Sequence, residues 1–157
     1  MTTSTQVDAR CRCGKVSFEL VGRPIMRAVC YCDSCQEAAG ILGELPGAPA
    51  IAGADGGTDF TLYRKDRIGR STGTDHLEEY RLKAESPTRR MVAGCCNTPM
   101  LLDFTKGFWL SFYPACLSGG DMAAPAQPKL RALSAPFMAR LLWSRTKMGF
   151  RTPRLDW

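Results

Sequence analysis

Seven of the eight cysteines lie in three tight clusters, and this constrains the chain more than any other feature. The first is Cys11-Arg12-Cys13-Gly14, the second Cys30-Tyr31-Cys32-Asp33-Ser34-Cys35, and the third Cys95-Cys96-Asn97-Thr98-Pro99. Clustered thiols either cross-link a secreted protein or hold a soft metal ion. Cys11/Cys13 and Cys30/Cys32 are too close in sequence to pair with each other easily. The stretch from Met1 to Arg10 is polar and has no apolar centre of the kind a secretory signal needs. No run approaches about 18 uninterrupted apolar residues, so no membrane span is expected. A cytoplasmic metal protein is the expectation.

Zinc suits these residues because it takes four tetrahedral ligands and favours thiolates. Short Cys-x-Cys and Cys-x-x-Cys spacings let one tight turn aim two sulfurs at one ion. A closed four-sulfur site needs two such pieces brought together, whereas a three-sulfur site leaves a position for water or a substrate thiol. The expected metal ligands are Cys11, Cys13, Cys95, Cys96, Cys30, Cys32 and Cys35. Cys95 and Cys96 are adjacent, and neighbouring side chains of an extended chain point to opposite faces. Cys95 therefore either completes a site with Cys11, Cys13 and Cys96 after a sharp turn, or points towards Cys30, Cys32 and Cys35.

With 157 residues the chain suits one domain. Period-two alternation and turn residues predict short strands at Lys15–Leu20, Pro24–Tyr31, Asp59–Tyr63, Leu77–Leu82, Arg89–Ala93, Met100–Phe104 and Phe108–Tyr113. Turns are expected at Gly69 and at Ser71–Gly73, among other places. Asp33 reads as the N-cap of a short helix over Ser34–Ala39 that Gly40 ends. The segment from Gly40 to Gly57 reads as a loop with one short apolar strand, of the kind that can cover a ligand. Ala135–Thr146 reads as an amphipathic helix with Phe137, Leu141 and Leu142 inward and Arg140 and Arg145 outward. The fold class is mainly β, with many short strands and two helices at most.

Cys-x-Cys-Gly-x-Val-x-Phe, a proline, Cys-x-Cys-x-x-Cys and a late Cys-x-Thr-Pro knuckle together form a recognisable pattern. It is carried by Cys11, Cys13, Gly14, Val16, Phe18, Pro24, Cys30, Cys32, Cys35, Cys96, Thr98 and Pro99. The middle segment from Gly73 to Tyr80 fits as well. The pattern resembles the glutathione-dependent formaldehyde-activating (GFA) family, over roughly Arg10 to Phe112. The resemblance implies a β-tent of small twisted antiparallel sheets. It implies one structural zinc on the first Cys-x-Cys and the late knuckle, and a second zinc on Cys30, Cys32 and Cys35 facing a glutathione site. The activity it implies is that of a carbon–sulfur lyase related to S-(hydroxymethyl)glutathione synthase, with Cys30, Cys32 and Cys35 acting through their zinc. The chain departs from the pattern in three places: Ala93 stands where the knuckle has its first cysteine, Asn97 where it has glycine, and Tyr31 where the second cluster has histidine.

A non-catalytic, zinc-stabilised binding module is the alternative function. It is favoured by two closed four-thiolate sites or an empty second site, and the enzyme by an open coordination position. The division expected is a flexible lead over 1–9, the zinc-binding domain over 10–120 and a basic extension with a helix packed on it over 121–157. From Lys129 onward seven basic residues face one acid, Asp156, which accounts for the whole net charge of +6. A solvated basic face is the reading of that segment, and nucleic acid is not an expected partner. Glutathione or another small thiol is. His76 reads as a turn residue and Cys116 as a buried or idle thiol. Trp109, Phe112 and Tyr113 read as packing residues, and Gly56-Gly57 as a turn that a thiol ligand can approach.

Overall fold

The computed structural model describes residues 6–119, 129–130, 135–155 and 157. Parts of the expected lead and extension, 1–5, 120–128 and 131–134, lie outside the described residues. The mainly β expectation holds: among the described residues eleven strands form two sheets, accompanied by two α-helices. The strands are β1 (Gln6–Arg10), β2 (Ser17–Val21), β3 (Met26–Cys30), β4 (Thr58–Arg64), β5 (Ile68–Thr72) and β6 (Leu77–Tyr80). They continue with β7 (Thr88–Ala93), β8 (Thr98–Phe104), β9 (Trp109–Phe112), β10 (Leu117–Ser118) and β11 (Lys129–Leu130). The helices are α1 (Asp33–Gly43) and α2 (Ala135–Lys147). One sheet runs β10-β1-β2-β5 and the other β11-β3-β4-β9-β8-β7-β6. Among the described residues every strand pairing is antiparallel except β11 with β3.

Alternation along the strands separates two cores. Val7, Ala9, Phe18 and Leu20 of the small sheet face Tyr63, Met91, Leu110 and Phe112 of the large one. Phe112 meets Phe18 edge-on at 6.0 Å and Tyr63 at 6.1 Å, contacts that add about 0.5–1.5 kcal/mol each beyond burial. Trp157 packs on Phe18 at 5.5 Å. On the opposite face of the large sheet, Met26, Phe60, Leu62 and Tyr113 pack with Cys35 of α1 and with Phe137 and Leu141 of α2.

Several expectations need correction. β1 begins at Gln6, so part of the supposed flexible lead is strand: Val7 and Ala9 are fully buried between the sheets. Cys32, not Asp33, is the N-cap of α1, and the helix passes through Gly40 to Gly43. Cys35, Ala38 and Leu42 form its buried face, and burial of Leu42 outweighs the cost of an exposed helical glycine. Pro46 then disfavours helix at Leu45. The apolar strand expected in the following loop is a single bridge, Ala52 to Thr58. The expected turn around Gly69 and Ser71 is instead strand β5, an edge strand so exposed that it carries no apolar alternation. Leu142 is exposed rather than inward, because Phe137, Leu141 and Ser144 define the buried face of α2.

Asp103 on β8 is buried, with Lys65 Nζ at 3.0 Å and Arg89 Nε at 2.9 Å. Removing one member of a buried ion pair leaves uncompensated charge, at a cost of about 3–5 kcal/mol. Asp103→Asn is therefore expected to lower stability by that order in chemical denaturation, and a change under about 1 kcal/mol would contradict the ion pair's role.

Candidate metal centre

Two hairpin turns, one from each sheet, build the first cluster. Between β1 and β2 the chain folds back at Gly14, whose φ of 80° is left-handed, and Cys11 N–H donates to Val16 O at 3.0 Å. Between β7 and β8 the turn closes through Cys96 N–H to Ala93 O at 3.2 Å and through left-handed Asn97, φ 55°. This is the sharp turn that lets adjacent cysteines serve one site. The sulfurs of Cys11, Cys13, Cys95 and Cys96 all lie within 4.8 Å of one another. Individual separations are 3.6 Å for Cys11–Cys13, 3.8 Å for Cys11–Cys95, 3.3 Å for Cys13–Cys95 and 4.0 Å for Cys95–Cys96.

A tetrahedral ion with metal–sulfur bonds of about 2.3 Å, the zinc value, has sulfur–sulfur edges of about 3.8 Å. The cluster fits that shape. Its surroundings favour thiolate: Val16 N–H donates to Cys11 Sγ at 3.3 Å, and the Thr98 hydroxyl lies 3.0 Å from Cys96 Sγ. Thr98 Oγ1 also accepts Arg12 N–H at 3.2 Å, which ties the two turns together and leaves its proton for the sulfur. Burial opposes ionisation of Cys96, but the Thr98 hydroxyl and the Cys13 backbone bring its pKa down to about 6. Cys95 is pushed up to about 12 by burial and by its neighbours Cys13 and Cys11. Four sulfurs this close cannot all ionise without a cation among them. Gly73 braces the first turn from behind, since a side chain there would run into Lys15 O at 1.9 Å.

The second cluster sits on the far side of the large sheet. Cys30 ends β3, Cys32 caps α1 and Cys35 lies in its first turn, their sulfurs again within 4.8 Å of one another. Cys30 and Cys32 are 3.3 Å apart. Hydrogen bonding from Cys35 holds Cys30 down at about 5, and its role as that donor, with burial, pushes Cys35 well above the ordinary thiol range.

Arg90 is the site residue that sequence reasoning missed. It projects from β7, is 3 % exposed, donates from Nη2 to Ser34 O at 3.2 Å and lowers the Cys30 pKa by its charge. Its Nε has no hydrogen-bond partner, and no carboxylate pairs with it among the described residues. An inward arginine on a strand whose neighbours are buried was the only available signal. Beside this cluster lies an open cavity of about 500 Å³ lined by Tyr31, Cys32, Asp33, Gln36 and Asp55. Tyr31 OH donates to Asp55 Oδ2 at 2.5 Å, and its ring lies on Gly57, where any side chain would come within 2.7 Å of it. The glycine considered as a ligand contact is thus a floor for Tyr31.

The remaining candidates fall elsewhere. His76 is exposed and in neither cluster. Cys116 is buried, donates to Tyr113 O at 3.0 Å and is pushed up to about 12 by burial. Phe112 and Tyr113 are core residues, and Trp109 packs on Phe108.

The sequence model of the glutathione-dependent formaldehyde-activating enzyme family matches residues 6–48, a segment that carries Cys11, Cys13, Cys30, Cys32 and Cys35. Over this segment the chain is similar to that family. No curated protein matches the chain. A crystal structure of a Rhodobacter sphaeroides protein is similar in fold, with a TM-score of 0.52 at 15% identity, covering 78% of this chain and 99% of that one. The family match ends before the late knuckle, so Cys95 and Cys96 are assigned to the first cluster by geometry alone. No helix among the described residues is long and apolar enough to cross a membrane.

Two outcomes follow from the geometry. Cys96→Ser is expected to lose the metal of the first cluster and melt well below Cys116→Ser, as judged by thermal unfolding and metal content. Equal, small shifts in both would refute the assignment. Arg90→Gln is expected to weaken metal binding at the second cluster about 10–100-fold in a chelator competition while sparing the first.

Proposed function

We propose that the chain is a zinc-dependent carbon–sulfur lyase acting on adducts of glutathione or a related small thiol. One observation carries this reading: Cys95 is committed to the first cluster, so the second has three sulfurs and its Cys32 borders an open cavity. Cys30, Cys32 and Cys35 hold the functional zinc, and Cys11, Cys13, Cys95 and Cys96 hold the structural one. A zinc ion supplies Lewis acidity and lowers the pKa of a coordinated thiol.

The chain's own groups do the rest. Cleaving a hydroxyalkyl thioether breaks the carbon–sulfur bond, leaves its electron pair on sulfur, and releases the aldehyde as the hydroxyl proton departs. Tyr31, hydrogen-bonded to Asp55 in the same cavity, passes that proton on. Arg90 offsets the excess negative charge of three thiolates from behind. Gln36 Nε2 donates to Tyr31 O at 2.7 Å and keeps the cavity wall in place.

A second reading, the non-catalytic zinc-stabilised module, is favoured by the cavity lining. Asp33 and Asp55 line it and no cation does, which opposes the carboxylates of glutathione. Calorimetry on zinc-loaded protein separates the two. The lyase reading expects saturable glutathione binding by the wild type and none by Cys32→Ser, with aldehyde release from a hydroxymethyl adduct falling about 10²–10⁴-fold in Tyr31→Phe. Absence of both binding and aldehyde release would leave the module.

A further inference from the structure

A recess of about 530 Å³ lies between α2, the β2–β3 turn and the end of β4, at the opposite end of β3 from Cys30. That volume suits a small-molecule ligand. Its lining includes Arg23, Arg64, Arg67, Arg140 and Lys147, and no carboxylate. Arg64 is satisfied by Asp66, with bonds of 2.8 and 2.6 Å. Arg23, Arg67, Arg140 and Lys147 form no ion pair among the described residues. Four cations from three separate segments thus converge on one concavity. Trp143 forms a wall of the recess, is 66 % exposed, and carries Lys147 Nζ at 5.4 Å from its ring.

We propose that this recess binds a nucleotide-like ligand: a di- or triphosphate carried by a planar ring. Guanidinium groups pair with phosphate oxygens in a bidentate fork, and a triphosphate's charge of about −4 matches the four unpaired cations. The indole face, already beside a cation, offers the stacking surface for a ring. Arg23 and Arg67 stand on the rim opposite Arg140 and Lys147 of α2, so the cations surround a concavity rather than form one flat face.

The test is titration of the zinc-loaded full chain with ATP, inorganic pyrophosphate and adenosine, read by calorimetry and tryptophan fluorescence. ATP is expected to bind one to one, more weakly as salt rises, and more tightly than pyrophosphate or adenosine. Arg140→Gln with Lys147→Gln, both on the exposed side of α2, is expected to weaken ATP about tenfold or more at an unchanged melting temperature. Arg23→Gln with Arg67→Gln is expected to do the same from the opposite rim. Trp143→Phe is expected to remove the fluorescence change. The proposal is overturned by any of three results: no ATP binding at low salt, ATP affinity unaltered in both double variants, or pyrophosphate binding as tightly as ATP. Stronger binding to vesicles containing phosphatidylserine than to ATP would also overturn it and assign the basic face to a membrane.

Discussion

The junction of four sulfurs between two hairpin turns is the constraint on which the rest of the molecule depends. Cys11 and Cys13 belong to the small sheet and Cys95 and Cys96 to the large one, 84 residues away along the chain for the Cys11–Cys95 contact. A metal bound there cross-links the sheets at the rim of their shared core, beside buried Cys11 and the Phe18–Phe112 contact. The apolar layer alone would bring the sheets together without choosing how they slide. The sulfurs add direction, since a tetrahedral ion tolerates little variation in the positions of its ligands. Structural zinc contributes on the order of 10 kcal/mol of apparent free energy in small domains, comparable to the whole stability of one.

The same repulsion that makes the first site need a cation shapes the second. Hydrogen bonding between Cys30 and Cys35 holds the first below and the second above the ordinary thiol range, and buried Arg90 lies beside them without a carboxylate partner among the described residues. A buried guanidinium is costly unless an anion is near. Cys30, whose pKa the Arg90 charge helps to lower, lies near it, and Arg90 also donates to Ser34 O at the start of α1. The two clusters lie on opposite faces of one sheet, and the second lies beside the open cavity that Tyr31 and Asp55 line.

Strands with a buried face were legible in the sequence because alternation reports burial directly: β2, β4, β7 and β8 lie where Phe18, Phe60, Met91 and Leu101 place them. Where burial is slight the signal fades. β5 pairs through its backbone alone and reads as turn; α1 continues past Gly40 because Leu42 has a core to enter, which is invisible locally. Leu142 fails for a related reason. An apolar residue next to the buried stripe of a helix looks inward until the neighbouring surface is known to be absent.

By itself the sequence determined the ligand chemistry. Cys-x-Cys and Cys-x-x-Cys are chelating units whatever surrounds them, because a tight turn or a helix start sets the distance between their sulfurs. Only the tertiary structure decided that Cys95 joins Cys11 and Cys13 rather than Cys30, that Arg90 stands behind the second cluster, and that basic residues from three segments line one recess. Each of these depends on which strand lies beside which, and strand order is set by burial summed over the whole chain.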